Sequence, residues 1–142
     1  MTETQSRLYL RPLHPLYGIL LAFPIALFST GLASDIAYLK TAEMQWSNFA
    51  SWAIAGALVF SAPIVAWAAL GLVWHRRPRA MLYFGLIAVM WIAGLINAFQ
   101  HSHDAWSSVG TLGLLLSILT TVLALVASWI AFSLGRSREI VR

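Results

Sequence analysis

The chain has 142 residues, 60% of them hydrophobic and only 10% charged, with four histidines and no cysteine. A soluble domain carries about 25% charged residues to cover its surface, so the composition excludes an ordinary soluble fold; the missing cysteines exclude disulfides, zinc thiolates and thiol nucleophiles. The net charge of +4 comes from arginines near the ends of apolar stretches, a placement that suits anionic lipid rather than nucleic acid.

Residues 1–12 are polar, carry Arg7 and Arg11, and read as a short tail. A first helix is predicted over about 13–34. It opens at His14-Pro15, where the missing N–H of proline costs nothing, and Pro24 at its middle predicts a kink. The small residues Gly31-Leu32-Ala33-Ser34 resemble a signal cleavage site, but the length of the stretch and Pro24 favour a retained span. The helix is expected to end at Ser34-Asp35, with Asp35 solvated at the interface. A partly helical, interfacial connection follows through Glu43 and Trp46.

Ser47 or Asn48 caps a second helix over about 48–74, with Pro63 as a second kink. The basic turn from Trp74 to Arg79 is short, so helices 2 and 3 are antiparallel neighbours. Helix 3 covers about 80–101 and helix 4 about 108–135, where Gly135 acts as a stop. Each stretch reaches the ~20 residues needed to cross a ~30 Å hydrocarbon layer, and none has a repeated polar face. The predicted fold is all-α: one domain over residues 1–142, a four-helix transmembrane bundle running up-down-up-down.

Threading the four spans puts Arg7, Arg11, Arg76, Arg77, Arg79, Arg136, Arg138 and Arg142 on one side and only Lys40 on the other. The positive-inside rule then places both termini in the cytoplasm. Aromatic residues mark both interfaces: Tyr17, Trp74, Tyr83 and Trp129 toward the basic side, and Tyr38, Trp46, Trp52 and Trp106 toward the other. Small residues in helix 2 (Ala53, Gly56, Ser61) and helix 3 (Gly85, Gly94, Ala98) offer close backbone approach.

With the arginines set aside, the chemistry gathers on the far side: Asp35, Lys40, Glu43, His101, His103 and Asp104. Asn97, His101 and Asp104 stand at i, i+4 and i+7, one polar stripe of helix 3 bordered by Gln100. Imidazole and carboxylate donors suit a divalent ion, which makes His101, His103, Asp104, Asp35 and Glu43 the candidate metal set. The same residues also read as solvated interface groups, with Asn97 and Gln100 bonding between helices. Asp35 has a third reading, as a carboxylate that relays protons or counters a cation. Haem is the weaker candidate, because His101 and His103 belong to one helix end and cannot clamp two porphyrin faces, while His14 and His75 sit at helix ends beside arginines. Ser117, Thr120, Thr121 and Ser128 of helix 4 read as interhelical glue. No hydrolase triad, phosphate loop or metalloprotease motif is present.

The run His14-Pro15-Leu16-Tyr17-Gly18 followed by Phe23-Pro24-Ile25-Ala26 resembles the signature of the DUF2231 family, small bacterial membrane proteins of undefined function. The likeness continues through Ser34 to Tyr38, Thr41 to Trp46, Asn97-Ala98-Phe99, His101 to Trp106 and Gly113 to Ser117. His14, Pro15, Phe23, Pro24 and Asn97 are the signature positions it picks out. The resemblance implies the four-span fold and a bacterial inner membrane. Many relatives carry a histidine where this chain has Ala22, another early in helix 3, and a Tyr-Arg-His-Gly tail, all missing here. A haem or metal held through those histidines would therefore lack most of its ligands. The expected function is a non-enzymatic accessory or interaction subunit with no assured cofactor and a polar cluster on the periplasmic side that takes a ligand or cation. Its partners would be membrane lipid and a second copy or another membrane protein. The alternative is a redox or metal-handling component using a divalent metal or, less readily, haem.

Overall fold

The computed structural model describes residues 14–74, 77–102 and 109–136. Nearly all of them lie in four helices: α1 (Pro15–Thr41), α2 (Met44–Trp74), α3 (Pro78–Ser102) and α4 (Thr111–Arg136). Each is long and apolar enough to cross a membrane. The chain is a multi-pass membrane protein with the all-α, four-helix architecture its hydropathy pattern predicts. α1 packs on α2 and α4, and α3 packs on the same two helices from the opposite corner. Sequential helices run antiparallel, so α1 and α3 are parallel and face one another across the diagonal.

Two boundaries differ from the sequence expectation. α1 runs on to Thr41, past Asp35, and α2 begins at Met44. Nothing between Ser34 and Thr41 breaks a helix, and Asp35 finds partners inside the bundle, so the helix need not end to solvate it. The turn is made by Ala42 in the left-handed region (φ 55°), whose N–H donates to the Tyr38 carbonyl at 2.8 Å. This is a left-handed helix cap built without glycine. At 1.5 Å per residue, the 31 residues of α2 span roughly 46 Å, so its ends stand beyond the hydrocarbon layer. The helices continue through Pro24, which is buried, and Pro63, which is exposed.

The buried positions reveal a shared register. α1 buries Tyr17, Leu21, Pro24, Phe28, Gly31 and Asp35; α3 buries Tyr83, Ile87, Met90, Gly94, Asn97 and His101. Both series step by four and three, the 3.5-residue period of helices that cross at small left-handed angles. The same offset of 66 residues joins Tyr17 to Tyr83 and Asp35 to His101. α2 and α4 bury mostly small residues at the same period, among them Ala50, Ala57, Ser61, Ser117, Ala124, Ala127 and Ala131. Large side chains from α1 and α3 thus fill the middle, and small ones let α2 and α4 close in around them. The tightest point is Gly94, where an added Cβ would stand 2.9 Å from Phe28 Cζ and 3.1 Å from Leu58 Cδ2. Gly56 also serves close approach, with Leu27 Cδ1 at 3.3 Å from its virtual Cβ, whereas Gly85 faces open space.

Candidate functional site

The polar centre lies at the end of the bundle away from the α1 N-terminus. Asp35 is six residues from the end of α1 and Ser117 six residues into α4, each roughly 9 Å inside its helix terminus at 1.5 Å per residue. α3 brings Asn97 and His101 to the same level, one helical turn apart. Their packing removes all four from solvent: Asp35 and Asn97 are 0% exposed, Ser117 1% and His101 6%.

One connected chain of hydrogen bonds joins them. His101 Nε2 meets Asp35 Oδ1 at 2.8 Å, a buried contact across the α1–α3 diagonal. His101 Nδ1 lies 2.9 Å from the Asn97 backbone carbonyl. A carbonyl only accepts, so Nδ1 carries a hydrogen and donates it, which aims Nε2 at the carboxylate. Ser117 Oγ donates to Asp35 Oδ2 at 2.5 Å, and Asn97 Nδ2 donates to Ser117 Oγ at 2.8 Å. The direction of these two bonds follows from the carboxylate, because Ser117 gives its hydrogen to Asp35 and keeps lone pairs for the Asn97 amide. That leaves Asn97 Oδ1 as a buried acceptor with no hydrogen-bond partner among the described residues. An unsatisfied buried acceptor costs about 1–3 kcal/mol, and it is the kind of group that takes a water, ion or ligand. Gly113 lines the cluster, its virtual Cβ 3.5 Å from His101 Cε1.

The opposite end of the same diagonal carries a second bridge. Tyr17 and Tyr83, both buried, share a 2.5 Å contact between their hydroxyls. Trp67 packs edge-on against Tyr17 with ring centroids 5.4 Å apart, and His14 lies 5.9 Å from Trp67. The two tyrosines were expected among the interfacial aromatics; the structure draws them into the bundle because each satisfies the other's hydroxyl. Trp74, Trp129, Trp46 and Trp52 are exposed, as the aromatic belts require.

The family model for DUF2231, described as a predicted membrane protein, matches residues 10–137. The chain belongs to the DUF2231 family. No curated protein and no solved structure gives a significant match to it. The matched span contains both diagonal bridges of this DUF2231 chain.

Of the candidate metal residues, the fold brings together Asp35 and His101. Glu43 is exposed in the short link after α1, its backbone N–H donating to Thr41 Oγ1 at 3.3 Å. His103 and Asp104 lie outside the described residues, as do His75, Trp106, Arg7, Arg11, Arg76, Arg138 and Arg142. No three histidine or acidic side chains converge among the described residues. Asp35, expected at a solvated interface, is instead fully buried, and His101 is likewise inside; pairing in the interior replaces hydration for both. Asn97 and Ser117 do bond between helices, to each other. Among the signature residues, His14 is the N-cap of α1 without a side-chain cap and Pro15 is its first residue. Phe23 stacks on Phe60 of α2 with centroids 4.1 Å apart.

Proposed function

We propose that this DUF2231 protein is a non-enzymatic accessory subunit of a bacterial inner membrane, acting with a partner membrane protein or a second copy of itself. Its functional element is the Asp35–His101–Ser117–Asn97 cluster, a seat for a cation or a hydrogen-bond-donating ligand. One observation carries this reading: Asn97 Oδ1 is completely buried beside a carboxylate and accepts no hydrogen bond among the described residues. Ionisable groups inside membrane helices are expensive to bury and mark ion or substrate sites. With both nitrogens of His101 engaged, the donors left over are oxygens, from Asn97 and the remaining lone pairs of Asp35, and oxygen donors suit hard cations. The arginine asymmetry supports cytoplasmic termini, which would put the seat on the periplasmic side.

A second reading, transition-metal handling, is favoured by the Nδ1–H bond from His101 to a backbone carbonyl. Metal-binding histidines are oriented in this way with Nε2 forward. In that case His101 would give up Asp35 as a hydrogen-bond partner and share a metal with it.

Unfolding of the detergent-purified protein, measured with sodium, potassium, magnesium, calcium, zinc and nickel salts, separates the readings. A ligand at a hundred times its Kd adds about 2.7 kcal/mol, a readily measured rise in Tm. A hard cation whose effect disappears in Asp35→Asn supports the oxygen seat. Zinc or nickel bound stoichiometrically and lost on His101→Ala supports the second reading. If no ion moves Tm and elemental analysis finds none bound, the cation seat is wrong. A periplasm-active reporter fused after Arg142 should be silent; activity there would overturn the orientation.

A further inference from the structure

At the end of the bundle that carries the tyrosine bridge, the last turns of α2 and the first turns of α3 enclose an outward-opening groove of about 350 Å³. Ala69, Leu72 and Val73 form one wall, and Met81 and Phe84 the other. Every lining side chain is apolar, as suits hydrocarbon rather than a polar solute. The wall from α3 has a charged continuation. Arg77, Met81 and Phe84 are spaced by four and three residues, and the Met81 N–H bonds to the Arg77 carbonyl at 3.0 Å, so the helical turn includes Arg77. Arg77 therefore begins the same face that lines the groove. Arg79, the second residue of α3, is exposed at the same level but stands two residues from Arg77, roughly 200° around the helix and off the groove face. Neither guanidinium has an acidic partner among the described residues, where the only carboxylates, Asp35 and Glu43, belong to the other end of the bundle.

We propose that this groove is a binding site for an anionic glycerophospholipid, with one acyl chain against Ala69, Leu72, Val73, Met81 and Phe84 and the headgroup phosphate on Arg77. The charge complementarity is local. An uncharged apolar groove takes any acyl chain, whereas an arginine on the groove's own face, without an acidic partner among the described residues, selects for negative charge at the level of the headgroup. A cationic side chain near an anionic membrane surface favours negatively charged lipid; one arginine, partly screened, should give a preference of about threefold. The site is separate from the Asp35 cluster and does not depend on what that cluster binds.

The test is native mass spectrometry of the full chain in detergent, titrated with phosphatidylglycerol or with phosphatidylcholine of the same acyl chains. The wild-type protein should retain the anionic lipid about threefold better, and Arg77→Gln should bring the two lipids level. Ala69→Phe, which fills the groove, should reduce retention of both. Arg79→Gln, off the groove face, serves as the charge control and should leave the preference intact. Equal retention by the wild type, a preference that survives Arg77→Gln, or the same loss in Arg79→Gln would overturn the proposal. Competition by millimolar inorganic phosphate would also overturn it, because the groove would then be a phosphate site and not a lipid site. Circular dichroism confirming helicity in each variant keeps a misfolded protein from being read as a result.

Discussion

The two bridges across the α1–α3 diagonal stand in the same register, 66 residues apart in sequence, yet they are built from opposite materials. At one end Tyr17 and Tyr83 satisfy each other, two neutral phenols packed in aromatic and aliphatic surroundings. At the other, Asp35 and His101 place an ionisable pair inside the bundle, recruit Ser117 and Asn97, and still leave an acceptor open. Both fix the spacing of α1 and α3, so the positioning of helices alone cannot account for the difference. A pair of tyrosines achieves it without the cost of burying a carboxylate, which amounts to several kcal/mol per ion even after relaxation. The contrast separates a contact whose two hydroxyls meet each other from one that leaves a buried acceptor without a partner among the described residues.

Substitutions sharpen that contrast, beginning with the largest effect. His101→Ala leaves Asp35 buried without its partner and should destabilise the protein by about 3–5 kcal/mol in detergent unfolding. Asp35→Leu combined with His101→Leu should recover most of that loss, since an apolar pair of similar volume often matches a buried ion pair, while abolishing any cation-dependent rise in Tm. A double variant as unstable as His101→Ala would mean that the pair is chiefly a structural lock. Gly94→Ala, which forces a methyl to within 2.9 Å of Phe28 Cζ, should cost about 1–3 kcal/mol through overpacking. Phe28→Leu in the same chain should restore part of it, because the obstructing ring is gone. At the tyrosine end, Tyr17→Phe should cost only about 1 kcal/mol, within the range of interhelical hydrogen bonds in membranes, and leave the cation response unchanged. The smallest effect belongs to Gly113→Ala. Its Cβ would meet His101 Cε1 at an ordinary 3.5 Å, so stability should stay within about 0.5 kcal/mol, as for benign substitutions generally.

The spans were legible because a run of ~20 apolar residues has few alternatives to crossing a membrane. The packing inside the bundle was not, for the same reason. Lipid and core are equally apolar, so α1 and α2 carry no contrast between an inner and an outer face, and the 3.5-residue stripe emerges only once burial is known. Two of its polar members were visible beforehand, Asn97 and His101 at helical spacing, and Ser117 was identifiable as a residue that bonds between helices. For Asp35 the sequence indicates the correct end of the bundle but points to water, whereas the residue is fully buried. Its hydration looked cheaper than burial because its partner stands 66 residues away, and no local pattern announces a contact across a diagonal. Tyr17 and Tyr83 were misplaced for a related reason: an interfacial tyrosine and a buried, paired one occupy the same helical position near a span end. Once burial is known, the shared 66-residue offset between the buried series of α1 and α3 accounts for both bridges at once.

That offset also divides the molecule into two helical hairpins, each contributing one half of both bridges. The first hairpin brings a carboxylate and a phenol; the second brings an imidazole and a phenol. Two copies of the first hairpin meeting in the same register would set Asp35 against Asp35, and two copies of the second His101 against His101. Only unlike halves place an acid opposite a base. The polar bridge therefore distinguishes the two halves, since only the pairing of unlike hairpins puts Asp35 against His101.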